Sequence, residues 1–177
     1  MIIKSELQRT ILLFLTEKDM TGYEMMKSLM SSRVWSSRHQ QIYRELNALK
    51  AAGHVHFNLV AQEGKPDKKV YSLSDIGRCA VSMFSKQTDV KEIAYHSEST
   101  VMLKAGNPRY FLALKDKLTV DIEALELELP KIEDEIEYAI AYRQLSLMKA
   151  EYQYADAALV TIESINYQQQ QQLSEVA

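Results

Sequence analysis

Apolar residues recur at helical spacing twice before residue 31. The stretch from Glu6 to Thr16 predicts a first helix. Its apolar positions are Leu7, Ile11, Phe14 and Leu15. A second helix is predicted to begin at "TGYE", because Thr21 followed three residues later by Glu24 forms a capping box. Its apolar positions are Tyr23, Met26, Leu29 and Met30.

A third helix is predicted over "RHQQIYRELNALKAAG", with Ser37 and Gln40 as a second capping box and Gly53 at its end. At 100° per residue this helix has two faces. The apolar face carries Ile42, Leu46 and Leu49. The opposite face carries Gln40, Arg44 and Asn47, with Tyr43 and Lys50 on its flank.

The pattern then changes from helical to alternating. "HVHFNLV" places apolar and polar residues on opposite faces, which predicts a half-buried strand. "AQEGKPDKK" predicts a turn and "VYSL" a second strand, after which Ser74 caps a fourth helix. Three helices, a hairpin and a further helix form a winged helix-turn-helix. The lysines Lys65, Lys68 and Lys69 lie near the tip of its hairpin.

The second half predicts longer helices. Asp89 to Leu103 is a predicted fifth helix, and in "AGNPRY" Gly106 ends one helix while Asn107 and Pro108 begin the next. Two coiled-coil seams follow. The first consists of Leu118, Ile122, Leu125, Leu129, Ile132, Ile136 and Ala139, and the second of Leu145, Met148, Tyr152, Ala155, Leu159 and Ile162.

Pro130 interrupts the first seam, so we expect a turn or kink near Leu129–Lys131. The second seam does not continue the phase of the first. An antiparallel pair of helices explains both observations. We expect a second copy of the chain to cover the apolar surface that such a pair leaves, in a two-fold dimer.

Charge divides the chain at the same place. Residues 1–90 carry 13 Lys and Arg against 9 Asp and Glu, a net charge of +4. Residues 91–177 carry 8 against 15, a net charge of −7, so only the first half suits a polyanion. We see no signal peptide and no apolar run long enough for a membrane span, and the single cysteine excludes a disulfide framework within the chain. These features predict a cytoplasmic protein.

The exposed side chains of the predicted third helix include several of the types that can contact base edges or phosphates of DNA. Arginine bonds guanine in the major groove, whereas asparagine and glutamine bond adenine. Lysines at the hairpin tip suit phosphates, and each neutralised phosphate releases counterions. Double-stranded DNA is therefore the predicted partner.

The runs "TGYEMMKSL", "HQQIYRELNALKAAGHV" and "GKPDKKVYSLSDIGR" resemble the N-terminal domain of PadR-type transcriptional regulators. The "HQQ-Y-REL" and "QEGKPD-KVYS" runs resemble the AphA-like virulence-regulator branch most. The resemblance implies a dimeric regulator whose third helix and wing contact DNA. It places those contacts at Arg38, His39, Gln40, Tyr43, Arg44 and the wing from Lys65 to Lys69.

The predicted fold is mainly α, with an N-terminal winged helix-turn-helix, a two-stranded wing and a C-terminal dimerisation arm of long antiparallel helices. The expected domains are residues 1–88 and 89–177, the second with helices at about 90–104, 108–129 and 131–168. The candidate DNA-binding residues are Ser37, Arg38, His39, Gln40, Tyr43, Arg44, Asn47, Lys65, Lys68 and Lys69. The candidate dimerisation residues are Leu118, Ile122, Leu125, Leu129, Ile132, Ile136, Leu145, Met148, Tyr152, Leu159 and Ile162.

Other interpretations of single residues are open. His54 and His56 share a strand face, but without a third ligand of clear spacing we predict no metal site and no cofactor. Cys79 is expected to be a buried structural thiol, and Trp35 a core residue. Tyrosines of the last helices are expected to pack in the dimer interface, or else to line an aromatic ligand pocket there. They are Tyr138, Tyr142, Tyr152, Tyr154 and Tyr167.

Three alternative functions compete with the leading one. No phosphate-cradling glycine loop, metal-ligand cluster or nucleophile with a base is present in the sequence, so an enzyme is not expected. A winged helix that docks protein is disfavoured by the gathering of basic residues on the predicted DNA-facing elements. A repressor controlled by a small molecule differs from the leading hypothesis only in its switch. A second regulator or RNA polymerase is a possible further partner.

Overall fold

The structure is a computed structural model that describes residues 3, 5–35, 38–62, 64–90 and 97–175. Its contacts divide the chain into two compact units, Met1–Lys91 and Glu92–Ala177. Each unit has its own apolar core. The predicted mainly helical fold with an N-terminal winged helix-turn-helix and long C-terminal helices is confirmed.

The first unit contains four helices and three strands. In chain order they are α1 (Glu6–Glu17), β1 (Met20–Thr21), α2 (Gly22–Ser31), α3 (His39–Ala51), β2 (Val55–Gln62), β3 (Lys65–Leu73) and α4 (Asp75–Phe84). The strands form one antiparallel sheet in the order β1-β3-β2. The predicted hairpin is therefore joined by a third strand of two residues, in which Met20 pairs with Tyr71. So short a strand has no alternating pattern that a sequence could show.

Side-chain caps fix where most helices of this unit begin. The Thr21 side chain accepts a bond from the Glu24 backbone, and Glu24 bonds back to Thr21, as predicted. Ser74 caps α4 by accepting a bond from the Gly77 backbone. The expected capping box of α3 is not observed, because Arg38 occupies the N-cap position without a side-chain bond. Ser37 lies outside the described residues.

Gly53 ends α3 with φ 75°, in the left-handed region that glycine tolerates best. The backbone N–H of Gly53 then bonds the Lys50 carbonyl, and that of His54 bonds the Leu49 carbonyl. These bonds turn the chain directly from α3 into β2. The wing is therefore held close to the end of α3.

One core holds the first unit together. Its buried apolar residues are Ile3, Leu7, Ile11, Leu12, Leu15, Met20, Met25, Leu29, Ile42, Leu46, Leu49, Val55, Tyr71 and Leu73. Trp35 packs against this core, as expected. Cys79 does not, and the prediction of a buried thiol is wrong. The packed side of α4 carries Ala80 and Phe84, and Cys79 projects away from it.

The second unit consists of α5 (Glu98–Lys104), α6 (Pro108–Glu128), a 3-10 helix (Leu129–Lys131) and α7 (Glu135–Glu175). The 3-10 helix at Pro130 is the interruption that the sequence predicts. The fifth helix starts later than expected, because Ser97 is its N-cap. Residues 87–90 are not helical, and residues 91–96 lie outside the described residues.

The last helix also starts later than its predicted beginning at 131. Asp134 accepts bonds from the backbone N–H groups of Ile136 and Glu137 at 2.9 and 2.8 Å, which caps α7 four residues further on. The helix runs to Glu175 rather than 168, and so includes the five-glutamine run.

The two predicted seams pack against each other between α6 and α7. One cluster contains Leu125, Leu129, Ala141 and Leu145, and Ile122, Ile132 and Met148 pack on it. The other contains Phe111, Ala155, Ala158 and Ile162. Ion pairs flank these clusters at Lys115–Asp156 and Lys149–Glu126. One chain alone therefore buries much of the apolar surface that the sequence predicts a partner to cover.

Candidate nucleic-acid interface

The outward face of α3 is the centre of the candidate interface. Ile42, Leu46 and Leu49 are buried on its inner side. Gln40, Arg44 and Asn47 are exposed on the other side, as the helical spacing predicts. Arg38, Gln40, Gln41 and Arg44 line a shallow groove of about 370 Å³ at the start of the helix. This end of α3 therefore presents side chains with donors and acceptors to solvent.

Arg44 is held in place although its side chain is 72% exposed. Its Nε and Nη2 atoms donate to Glu45 Oε1 at 3.3 and 3.1 Å. Glu45 is only 14% exposed, and its other oxygen accepts a bond from Gln8 Nε2 of α1 at 2.8 Å. Arg44 is thus connected through Glu45 to the first helix.

Tyr43 lies half-buried on the flank of α3. Its ring contacts the ring of His39, with 4.7 Å between centroids and a tilt of 52°. A Cβ atom built on Gly22 would lie 2.5 Å from Tyr43 Cε1, so the absence of a side chain at Gly22 makes room for the tyrosine. The start of α2 therefore positions Tyr43 at the edge of the interface.

A larger groove of about 710 Å³ lies between α2, α3 and the wing. Its lining is Thr21, Gly22, Tyr23, Glu24, Lys27, Tyr43, Asn47, Gln62, Asp67, Lys68, Lys69 and Tyr71. Sequence reasoning assigned Tyr23 to helix packing, yet it is 62% exposed in this groove. Lys27 was also missed. A tyrosine at helical spacing from apolar residues can be either packed or exposed, and the sequence alone does not distinguish the two.

The wing lysines lie in different surroundings. Lys68 and Lys69 both line the groove. Hydrogen bonds from Thr21 hold the pKa of Glu24 below its usual value, and the charges of Lys68 and Lys18 lower it further. Lys69 lies 4.9 Å from the centroid of the Phe57 ring. The side chain of Lys65 is not described. The lysines therefore do not form one uniform cluster at the tip.

Lys50 is a further cation of this surface. Its Nζ atom lies 4.9 Å from the centroid of the same Phe57 ring. Lys50 belongs to the last turn of α3, one turn after Asn47. The sequence places it on the flank of α3 but does not show that it reaches the wing.

Most of the candidate dimerisation residues are buried or partly buried within the second unit itself. Those that are buried are Leu118, Leu125, Leu129, Leu145 and Ile162, and those partly buried are Ile122, Ile132, Met148, Tyr152 and Leu159. Ile136 is 72% exposed. Other exposed apolar residues of α6 and α7 are Leu112, Val120, Leu127, Leu147, Val160 and Ile165.

Among the residues that the structure describes, no three His, Cys, Asp or Glu side chains are arranged to hold a metal ion. In the same residues no helix is both long and apolar enough to cross a membrane.

The first unit is therefore a winged helix-turn-helix in which the exposed polar face of α3 lies beside a lysine-bearing wing. Residues 11–82 match the family model "Transcriptional regulator PadR-like family". The similarity to this family is therefore shown for residues 11–82, which lie within the first unit.

Two curated relatives each match part of the chain. The chain is 40% identical over 78 residues to "Probable transcriptional regulator Rv1176c" of Mycobacterium tuberculosis, which covers 43% of this chain and 41% of that protein. It is 34% identical over 74 residues to "Negative transcriptional regulator PadR" of Bacillus subtilis, with 41% of each protein covered. The match thus spans less than half the length of either relative.

A solved structure extends the similarity of fold to both units. Bacillus subtilis PadR in complex with operator DNA superposes with a TM-score of 0.75 over 88% of this chain and 98% of that chain. The identity is 23%, so this match concerns the fold.

Proposed function

We propose that this chain is a sequence-specific, DNA-binding transcriptional regulator that acts as a homodimer on a pseudo-palindromic operator. In this proposal α3 enters the major groove, and the wing of β2 and β3 lies on the DNA backbone or in the minor groove. Residues 1–88 would bind DNA, and residues 89–177 would form the dimer.

The observation that carries the proposal is the placement of Arg44, Asn47 and Lys68 on one winged-helix unit of a PadR-like domain. Arg44 and Asn47 present donors and acceptors from the exposed face of α3, and Asn47 and Lys68 line the same groove. In winged-helix proteins these elements read base edges and hold the backbone. The DNA-binding role of the ten candidate residues is part of this proposal.

A groove that contains carboxylates is not uniformly attractive to DNA. Glu24 and Asp67 both line it, together with Lys27, Lys68 and Lys69. Carboxylates repel phosphates, and they favour the alignment in which phosphates meet lysines. We infer that Glu24 and Asp67 restrict how the backbone lies along the groove.

The homodimer is supported by apolar side chains that the second unit leaves exposed. Ile136, Leu127 and Val160 are 72, 71 and 67% exposed on α6 and α7. Burial of each against a second copy would remove apolar area from water at about 25 cal/mol per Å². Ile136 is the candidate dimerisation residue best placed for such a contact.

The dimer has its own test. Ile136→Glu should shift the protein toward monomer in sedimentation equilibrium, because the contact would bury a carboxylate. Lys131→Glu, a charge change at an exposed position nearby, is the matched control. A dimer unaffected by Ile136→Glu would remove this residue from the interface.

DNA binding is tested by selection from a random pool of duplexes with the purified protein at moderate salt. We expect an enriched pseudo-palindrome whose half-sites lie about 34 Å apart, one turn of DNA. Enrichment of a single half-site would argue against the dimer. No enrichment by a folded, dimeric protein would contradict sequence-specific binding by the chain alone.

A regulator controlled by a small molecule is the alternative, with an aromatic pocket at the dimer interface. The tyrosines in question lie far apart along α7. Tyr138 and Tyr142 stack on each other at 6.4 Å, whereas Tyr154 contacts Phe111. From Tyr138 to Tyr167 the helix extends about 44 Å at 1.5 Å per residue, so they cannot line one pocket together. Only a subset could serve a ligand.

Three finer assignments rest on the sequence. The AphA-like branch is supported by the "HQQ-Y-REL" and "QEGKPD-KVYS" runs alone. A second regulator or RNA polymerase is proposed as a further partner because a regulator must pass its signal to transcription. A cytoplasmic location fits that role.

A further inference from the structure

Two lysine ammonium groups converge on one aromatic ring where α3 meets the wing. Lys50 Nζ and Lys69 Nζ each lie 4.9 Å from the centroid of Phe57. The two charges are therefore no more than about 9.8 Å apart, twice that distance. They come from different elements, the last turn of α3 and the middle of β3.

Like charges held so close repel each other, and the ring offsets part of this cost. The face of an aromatic ring carries negative charge and attracts cations within about 6 Å. Phe57 is half-buried and packs against Tyr71, with ring centroids 5.6 Å apart. The ring is thus a fixed support rather than a mobile side chain.

No described carboxylate lies within 4.0 Å of Lys50 or Lys69, and both are exposed. Their alkyl chains reach over the ring while their charges stay available to solvent. Two available cations on a rigid support can hold an anion.

We propose that Lys50, Phe57 and Lys69 form a phosphate clamp, in which the two lysines bind the DNA backbone together and Phe57 positions both. This inference rests on the proposed DNA-binding function and adds Lys50 and Phe57 to its residues. The clamp joins the recognition helix to the wing, so it fixes the backbone relative to the helix that reads the bases.

The first test is the salt dependence of binding to random-sequence duplex. Each phosphate neutralised contributes about 0.9 to the slope of log K against log salt. Lys50→Gln should therefore reduce the slope by about 0.9 and weaken selected and random DNA equally. Lys86→Gln, in the turn after α4, removes one charge from the same unit as a control and should leave the slope unchanged.

The second test separates a clamp from independent lysines. Lys50→Gln and Lys69→Gln should be non-additive, because the loss of one releases the phosphate from the other. Lys50→Gln and Lys68→Gln should be additive, because among the described residues it is Lys50 and Lys69 whose ammonium groups lie over the Phe57 ring. Additivity of both pairs would overturn the clamp.

Phe57 supplies the third test. Phe57→Leu keeps an apolar side chain in the sheet but removes the ring, and should weaken binding to all duplexes. Phe57→Tyr keeps the ring and should bind as the unchanged protein does. Thermal unfolding of each variant shows whether the fold is retained, and equal losses with Leu and Tyr would overturn the positioning role.

The two proposals fail in different ways. If the unchanged protein binds no duplex, the proposed function fails and the clamp with it. If it binds with a steep salt slope while Lys50→Gln behaves like Lys86→Gln, only the clamp fails.

Discussion

Tyr43 occupies the space that a side chain at Gly22 would fill. A Cβ atom at Gly22 would lie 2.5 Å from Tyr43 Cε1 and 2.9 Å from its hydroxyl oxygen. The glycine is also the first residue of α2, directly after the Thr21 cap. The contact therefore couples the start of α2 to the flank of α3.

Gly22→Ala is expected to displace Tyr43 and weaken DNA binding. Overpacking costs about 1–3 kcal/mol where neighbours must move. Because the Tyr43 ring lies at the edge of a groove and can shift, we expect a cost at the low end of that range. The free energy of unfolding and the affinity for the selected duplex measure the two effects. In a Tyr43→Ala background Gly22→Ala should cost nothing further, and an undiminished cost there would refute the steric explanation.

The elements of the first unit follow closely from local sequence. Thr21 and Ser74 cap helices where the spacing of polar and apolar residues places them. Gly53 ends α3 in the left-handed conformation that its position favours. Such local signals suffice because each depends on residues within one turn of the chain.

The site is less predictable, because it depends on distances between elements. Alternation shows that Lys68 and Lys69 point to opposite faces of β3, but not that Lys69 shares the Phe57 ring with Lys50. That contact is set by the turn at Gly53 and the twist of the hairpin. Likewise, the two seams that contain Leu125 and Leu145 are evident in the sequence, but not how much of their apolar surface one chain buries by itself.

His54 makes the stability of the first unit depend on pH. Its side chain is 3% exposed, and Nδ1 has no hydrogen-bond partner among the described residues. Burial lowers the pKa of His54 below its usual value of 6.5, since the charged form is poorly solvated. The unfolded chain then binds more protons than the folded one. Stability is full above about pH 6.5 and falls as the pH drops toward the folded-state pKa.

His54→Leu should remove this loss of stability below about pH 6.5, as measured by urea unfolding at each pH. The backbone bonds of residue 54 to Leu49 and Ser74 do not involve the imidazole and should persist. His56, exposed two residues further on, provides the control substitution His56→Leu. An unchanged pH profile in His54→Leu would refute the role of the buried imidazole.

Asp134 decides where α7 begins. Its carboxylate accepts bonds from two otherwise unpaired backbone N–H groups, those of Ile136 and Glu137. Asp134→Ala should lower the free energy of unfolding of the second unit by about 1 kcal/mol. Glu133→Ala is the matched control, with an expected change near zero. Equal effects of the two variants in thermal unfolding would contradict the cap.

Arg44 is expected to contribute specificity rather than general affinity. Loss of a good arginine contact to guanine weakens binding to the correct site by about 1–3 kcal/mol, whereas binding to random DNA changes little. Arg44→Ala should therefore weaken the selected duplex more than random duplex in competition binding. A uniform loss on both would mean that Arg44 contacts phosphate only.

Glu45→Gln tests whether Arg44 depends on Glu45 for the orientation in which it would contact DNA. The substitution keeps a side chain of the same shape but weakens the hold on Arg44 and removes one negative charge beside the DNA. Binding to random duplex should therefore strengthen slightly, while the preference for the selected duplex falls. Gln8→Ala, which frees Glu45 from α1 without changing the charge, should lower the preference alone. If Glu45→Gln leaves the preference intact, Arg44 does not depend on its neighbour for orientation.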